Sequence, residues 1–532
     1  MKKKNRLLGI LGLALILAFA FAACELIDEN ADSKEIKRDK EKAPNAFITL
    51  DPDTKYQYVR GFGGMDIPWL FGGWEKITIT KDDYEKMYNP NGQLGFNIMR
   101  IMINPIKGKI SGAIDTTPED QKFVHTTDPV EFLDFITSPA GARPNYIEGV
   151  KIVNKHGGYV LASPWTPPKA WKSNNNIVVG ILKTEHYDDY AGYLKKFAKE
   201  MSDRGGPIYA ISIQNEPNYR TGREDYEGCE WTGAQMRDFF KQVGDFTANV
   251  PGWGGGKATS RVLIMNGESA NTPTVHTEAM NDAESRDVID LLARHNYGNI
   301  QDVNPPAWND KEMWMTEWNK NSGSVTTYPN DSTWNYVWEF LNDVDLTIRL
   351  RKDNAYVWWA LKRFYSFLGD GQSGTKNGDI LPRGYALSHY AKFAKEKHQI
   401  KVDVTGNLAP TSAGNTGAAI NTSNVNIMSI DSGRTSTAVR VTAFISESGD
   451  EISLVMFSPT NTSGSSGRDL GTVRIDMPNG FIAKDVTAMR SSATVKGKAE
   501  LPFFGLDEDT GKSYAIVTLP PSEILSVKII KQ

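Results

Sequence analysis

Between residues 56 and 395 the chain alternates between two hydrophobic rhythms. Eight short, nearly continuous apolar runs recur, at 59–65, 96–104, 158–165, 208–217, 261–269, 291–297, 312–319 and 354–363. Runs of β-prone residues without a polar face suit parallel strands covered on both sides. Between several of them, apolar residues return every three to four positions. Tyr187, Tyr190, Leu194, Phe197, Ala198 and Met201 follow Thr184, which reads as an N-cap, and Gly205-Gly206 reads as the stop. Similar periodicity covers 334–350 and 385–394. Eight strands alternating with helices predict an α/β fold, a (β/α)8 TIM barrel. An open doubly wound sheet shares the alternation, but the GxGxxG or Walker motif that would mark one is missing.

After about residue 400 the rhythm changes. Gly, Ser, Thr and Asn dominate 405–437, and short alternating runs follow at 437–445, 451–457, 472–476, 515–519 and 524–530. Turn residues separate them, which predicts a side β-sandwich domain. The run 46–49 reads as one more strand of that sandwich. The boundaries that follow are 45–58 for this N-terminal strand, 59–398 for the barrel and 399–532 for the sandwich.

The first 44 residues fit neither rhythm. Lys2, Lys3, Lys4 and Arg6 precede an apolar stretch, Leu7 to Phe21, that is short for a membrane span. It ends Phe21-Ala22-Ala23-Cys24, which resembles a bacterial lipoprotein signal over residues 1–24. Cys24 would then carry an N-terminal lipid anchor to the membrane. Residues 25–44 are charged and poor in aromatics, and read as a solvated tether. The acidic residues just after Cys24 resemble export signals of Gram-negative surface lipoproteins, so the expected location is the outer membrane, facing out.

Composition narrows the classes. The 532 residues carry 60 Lys and Arg against 64 Asp and Glu. The leader holds four of the basic residues and none of the acidic ones, so its loss moves the formal charge from −4 to −8. No basic field is present to attract nucleic acid. A hydrophobic content of 40% excludes a disordered chain. Cys229 has no partner once Cys24 is lipidated, which removes a disulfide framework and any CxxC metal site. No cofactor or metal is implied, and a monomer is expected.

In a (β/α)8 barrel, side chains at the C-terminal ends of the strands meet at one mouth. The fourth run ends Ile213-Gln214-Asn215-Glu216-Pro217 and the seventh Met315-Thr316-Glu317-Trp318. Each places a carboxylate where a β-run stops. Retaining hydrolysis of a glycoside needs two such groups about 5–5.5 Å apart, one protonated to release the leaving group, one ionised to attack the anomeric carbon. Arg100, near the end of the second run, is a cation suited to keeping a nucleophile ionised. Tyr297, after the sixth, can hydrogen-bond it, while the neighbouring His295 reads as structural. Trp165, Trp358 and Trp359 close the third and eighth runs. Successive strand residues face opposite sides, so one of the last pair faces the mouth, and Trp359 is favoured. Glu268, at the end of the fifth run, is the rival nucleophile.

The motifs Gly61-Phe62-Gly63-Gly64-Met65, Ala162-Ser163-Pro164-Trp165, Ala210-Ile211-Ser212-Ile213-Gln214-Asn215-Glu216-Pro217, Trp314-Met315-Thr316-Glu317 and Tyr356-Val357-Trp358-Trp359 occur in that order. With them the chain resembles glycoside hydrolase family 30, most closely its bacterial glucuronoxylanase (endo-β-1,4-xylanase) branch. The resemblance covers about residues 45–532, since that family also carries a side β-sandwich. It implies Glu216 as general acid/base, Glu317 as nucleophile and Asn215 on the sugar 2-hydroxyl, with a polysaccharide, (glucurono)xylan, as substrate. It further implies that Arg363 and Tyr365 hold a glucuronate side group, for which a guanidinium fork is suited. The chain departs from the family pattern after the nucleophile. A Tyr/Ser loop belongs there, whereas Trp318-Asn319-Lys320-Asn321-Ser322-Gly323 has no Tyr, and a similar Tyr328-Pro329-Asn330-Asp331-Ser332 comes some ten residues later. Two other readings use the same residues. One is another family 30 β-glycosidase, such as a β-1,6-glucanase, β-glucosidase-like enzyme or exo-xylanase. The other is a lipid-anchored glycan-binding protein, against which the retention of both Glu216 and Glu317 argues.

Overall fold

The structure, a computed structural model, describes residues 42–219, 226–298, 305–320, 334–406, 439–459 and 471–532. Cys24, the tether to residue 41, and the 328–332 segment lie outside the described residues. The described chain opens with β1 (Ala46–Val59). Eight strands follow: β2 (Gly61–Asp66), β3 (Ile98–Ile103), β4 (Tyr159–Pro164), β5 (Ala210–Ser212), β6 (Leu263–Ser269), β7 (Leu291–His295), β8 (Glu312–Glu317) and β9 (Ala355–Trp358). Each pairs in parallel with the next, and β9 returns to β2 with Ala355 beside Gly61 and Trp358 beside Gly64, closing the barrel.

All eight predicted runs become barrel strands. Their near-continuous apolar character has two causes. One side of each strand fills the barrel, where Ile98, Leu161, Met265, Ala293, Trp314 and Val357 form a buried plug. The other side meets the surrounding helices. The glycines of β2 answer a local demand: a Cβ on Gly63 would lie 1.7 Å from the Ile98 carbonyl oxygen of β3. The fourth run yields only the three residues of β5. Beyond it the backbone bends outward, with Asn215 N bonding Pro164 O, Glu216 N bonding Glu268 O, and Glu216 at φ 47°.

The helices are α1 (Lys81–Tyr88), α2 (Pro129–Thr137), α3 (Tyr146–Lys155), α4 (Tyr187–Asp203), α5 (Gly233–Val243), α6 (Thr277–Asn281), α7 (Ala283–Val288), α8 (Asn335–Asp345) and α9 (Pro382–Phe393). The predicted stripe from Tyr187 to Met201 is the buried face of α4. Its start differs from expectation. Thr184 opens a 3-10 turn, Thr184–His186, and makes no capping bond to α4, because that extra turn shifts the helix start to Tyr187.

The strands of the side domain are β10 (Lys397–Gly406), β11 (Arg440–Ile445), β12 (Glu451–Phe457), β13 (Gly471–Asp476), β14 (Ala483–Ser491), β15 (Lys498–Glu500), β16 (Phe503–Leu506), β17 (Ser513–Leu519) and β18 (Ile524–Lys531). With β1 they form one ten-stranded sheet, in the order β15-β14-β18-β12-β11-β10-β1-β13-β17-β16. Only β1 and β13 pair in parallel; β1 otherwise runs antiparallel to β10 with register shifts after Asp51 and Lys55. The sheet folds over a core that includes Ile48, Leu454, Val473 and Val527. Its two ends meet where Arg490 of β14 donates to the Thr518 carbonyl of β17 (2.8 Å). Its other face packs on α8 and α9. Trp338 stacks on Phe457, Arg440 lies 3.5 Å from Asp345, and His389 bridges Ser491 and Ser526 at 2.9 and 2.8 Å. Among the described residues no helix is long and apolar enough to cross a membrane.

Candidate active site

Strand ends β3 to β9 bring the titratable residues together. Arg100, wholly buried in β3, donates from Nη1 to Glu317 Oε2 and from Nη2 to Asn215 Oδ1, both at 2.6 Å. Its Nε donates to Ser163 Oγ and lies 3.0 Å from Glu268 Oε2, and its plane rests 4.8 Å from the Trp165 ring. Glu317 closes β8, and its second oxygen accepts from Tyr297 Oη at 2.9 Å. Glu216, on the bend after β5, accepts from Tyr226 Oη at 3.1 Å and lies 3.0 Å from His295 Nδ1. One carboxylate oxygen each of Glu216 and Glu317, with a ring nitrogen of His295, lie within 4.8 Å of one another. That separation suits a nucleophile and an acid on either side of one glycosidic bond.

Charge distinguishes the three carboxylates. Burial works against ionising Glu268, but Arg100 and His295 outweigh it and hold the group at about 2. Burial likewise opposes a charged His295, yet Glu317, Glu216 and Glu268 push it up to about 9, so the ring is protonated at neutral pH and donates to Glu216. Burial pushes Glu317 above the ordinary carboxylate range, while His295 and Arg100 pull against it. Glu317 faces a permanent cation and a phenol whose own proton is held well above the ordinary tyrosine value, by burial of its hydroxyl end and then by Glu317. Glu216 faces a titratable cation and a hydroxyl that accepts as readily as it donates, an arrangement that serves both a carboxylic acid and its anion. The same three residues have the spacing of a metal site. Glu317 is, however, already paired with Arg100 at 2.6 Å.

Residues 132–316 match the glycosyl hydrolase family 30 TIM-barrel domain. Over that segment the barrel resembles those of glycoside hydrolase family 30. It is 25% identical over 375 residues to the glucuronoxylanase XynC of Bacillus subtilis, covering 68% of this chain and 72% of that enzyme. It is 22% identical over 268 residues to the lysosomal acid glucosylceramidase of Mus musculus, covering 47% and 48%. In fold it matches the glycoside hydrolase family 30 subfamily 8 xylanase of Clostridium acetobutylicum, with a TM-score of 0.62 and 21% identity over 91% of this chain and 99% of that one. The endo-β1,6-glucanase BT3312 shares the fold at a TM-score of 0.56 and 17% identity, over 94% and 96%.

Within this barrel the other predicted residues fall as follows. Trp165 lies beneath Arg100. Trp359 points to the mouth, where its ring is 6.2 Å from Trp165 and 5.2 Å from Trp69. Trp358 turns the other way, into Phe340 and Trp318. Tyr297 is 45% exposed, with its hydroxyl end among the carboxylates. Arg363 is buried over the Trp74 ring (4.6 Å), 3.7 Å from the carboxylate of buried Asp370, and donates to the carbonyls of Gly72 and Gly73. Tyr365 is buried beside Phe364. Glu268, the rival nucleophile, is fully buried under Arg100 and His295 rather than open to the mouth.

Three contributors to the site carry no clear signal in the sequence. His295 reads as structural in the sequence, although it sits two positions before Tyr297, the spacing that puts both on one side of an extended chain. Ser163 belongs to Ala162-Ser163-Pro164-Trp165, where a serine signals no role until Arg100 Nε meets its hydroxyl. Tyr226 comes from a loop with no periodic signal.

Proposed function

We propose that the protein is a retaining glycosidase that cuts internal β-1,4-xylosidic bonds of xylan. The proximity of Glu216 and Glu317 carries the reading, and the similarity to the Bacillus subtilis glucuronoxylanase supports the choice of xylan. The chain lies across the barrel mouth. Glu317 attacks the anomeric carbon while Glu216 gives its proton to the departing oxygen, and a covalent glycosyl-enzyme forms. Glu216, now a carboxylate, takes a proton from water, which releases the sugar with its configuration retained. Asn215, held by Arg100, is placed to bond the 2-hydroxyl, and Trp359 offers a ring for stacking.

Arg363 is engaged by Asp370, the Trp74 ring and two backbone carbonyls. A glucuronate would have to compete with that aspartate, so decoration is not required in this reading. The test compares products from glucuronoxylan and from undecorated linear xylan, using residues 25–532. Oligosaccharides of mixed length from both are expected. Cutting of glucuronoxylan alone would restore the glucuronate clamp, and cutting of neither would discard xylan. We also propose anchoring through Cys24 at the outer membrane, for which the test is incorporation of labelled palmitate, abolished by Cys24→Ala.

A further inference from the structure

Between the loops that follow β2, β3 and β5 lies a cleft of about 250 Å3. Trp69, Trp74 and Phe123 give it apolar walls, and Glu119, Tyr226 and Glu227 give it polar ones. It adjoins the catalytic pair. Tyr226 and Glu227 also line the crevice that holds Asn215 and Glu216, and Tyr226 donates to Glu216. Trp69 and Trp74 meet edge to face at 5.7 Å, and both reach Trp359, at 5.2 and 6.2 Å. The walls thus continue the aromatic floor of the mouth.

Two groups in this cleft are poorly explained by folding alone. The Trp69 indole N–H is buried and has no hydrogen-bond partner among the described residues, a loss a native core rarely accepts. Glu227 is almost wholly buried and accepts from Asn104 Nδ2 at 2.6 Å. Burial and the neighbouring Glu119 push its carboxyl up to about 7. A donor and an acceptor set into aromatic walls suit the hydroxyls and apolar faces of a sugar ring. Charge selects among sugars. Lys122, the one cation lining the cleft among the described residues, is bound to Glu119 at 2.7 Å. Arg363 lies against Trp74 and is occupied by Asp370.

We propose that this cleft is a subsite for an uncharged pyranose unit of the substrate chain, outside the units that flank the bond being cut, with Trp69 and Trp74 as its walls and Glu227 as a hydroxyl acceptor. The proposal rests on the glycosidase reading above and extends it to substrate choice. A carboxylate-bearing unit placed there would meet Glu227 and Glu119 with no free cation to receive it.

The test compares the parent, Trp69→Ala and Glu227→Gln on oligosaccharides of two to six units and on a short aryl glycoside. The oligosaccharides are xylose-based, or β-glucose-based should the parent leave xylan uncut, so that a wrong substrate is told apart from a wrong subsite. Each substitution should reduce kcat/KM on the longest oligomer at least ten-fold more than on the aryl glycoside, chiefly through KM. Equal losses on both, or no loss on the long oligomer, would overturn the subsite. The parent should also cut a glucuronate-bearing oligomer more slowly than the plain one; equal or faster cutting would overturn the preference for an uncharged unit.

Discussion

Arg100 touches four polar side chains that come from four different strand ends: Ser163, Asn215, Glu268 and Glu317. A single guanidinium thus holds Glu317, Asn215 beside Glu216, and the deepest carboxylate, Glu268, at once. Three carboxylates share this cluster with two cations, Arg100 and His295. The second cation makes stability depend on pH. A histidine in the unfolded chain titrates near 6.5, and His295 in the fold is raised to about 9. Its contribution is complete below pH ~6.5 and is lost as pH rises through 9, amounting to roughly 3 kcal/mol at most. Urea unfolding should therefore find His295→Gln less stable than the parent at pH 6 and nearly equal to it at pH 9.5; a difference that does not change with pH would contradict this. The meeting of Glu216 with Glu317 was legible in the sequence because each closes an apolar run. His295 was not, since a lone histidine reveals nothing until the fold brings Glu216, 79 positions away, to 3.0 Å.

The barrel strands show why hydrophobic runs locate elements better than they bound them. The fourth run continues for five residues past β5, because Ile213, Gln214, Asn215 and Pro217 stay buried while leaving the ladder. Their backbone groups instead reach across to Pro164 and Glu268, which is how Glu216 is turned toward the mouth. In the side domain, β10, β14, β15 and β16 have no clear apolar run to mark them. Lys397–Gly406, for example, is polar or charged at most of its positions outside Ile400, Val402 and Val404. The tightest sequence demand lies on β2. Replacing Gly63 by Ala would set a methyl group 1.7 Å from a backbone oxygen, which no rotamer change relieves. Overpacking of this kind costs about 1–3 kcal/mol or more. Gly63→Ala should unfold at markedly lower urea than the parent, and an unchanged midpoint would show that β2 and β3 can separate freely.

At the scale of the molecule, barrel and sheet share a core. Phe444, Val455, Phe457 and Ile524 of the sheet belong to the same buried cluster as Trp338, Tyr390 and Phe393 of the barrel helices. β1 precedes the barrel in sequence yet lies mid-sheet, so the barrel's first strand begins from the sheet. Short alternating runs announced this second part, but not that its ten strands form one continuous sheet, since that depends on pairings such as β1 with β13 across more than 400 residues. Calorimetry of residues 42–532 is expected to give one cooperative transition, whereas two separated transitions would mean that barrel and sheet fold independently.

The most direct measurement addresses the two carboxylates. The parent and Glu216→Gln are incubated with a 2-fluoro glycoside that carries a good leaving group, and the trapped protein is digested and read by mass spectrometry. The account predicts one added sugar on the peptide containing Glu317, in both proteins, and none after Glu317→Gln. A label on Glu268 or Glu216, or products of inverted configuration without any trapped sugar, would contradict the assignment of Glu317 as nucleophile and the retaining mechanism built on it.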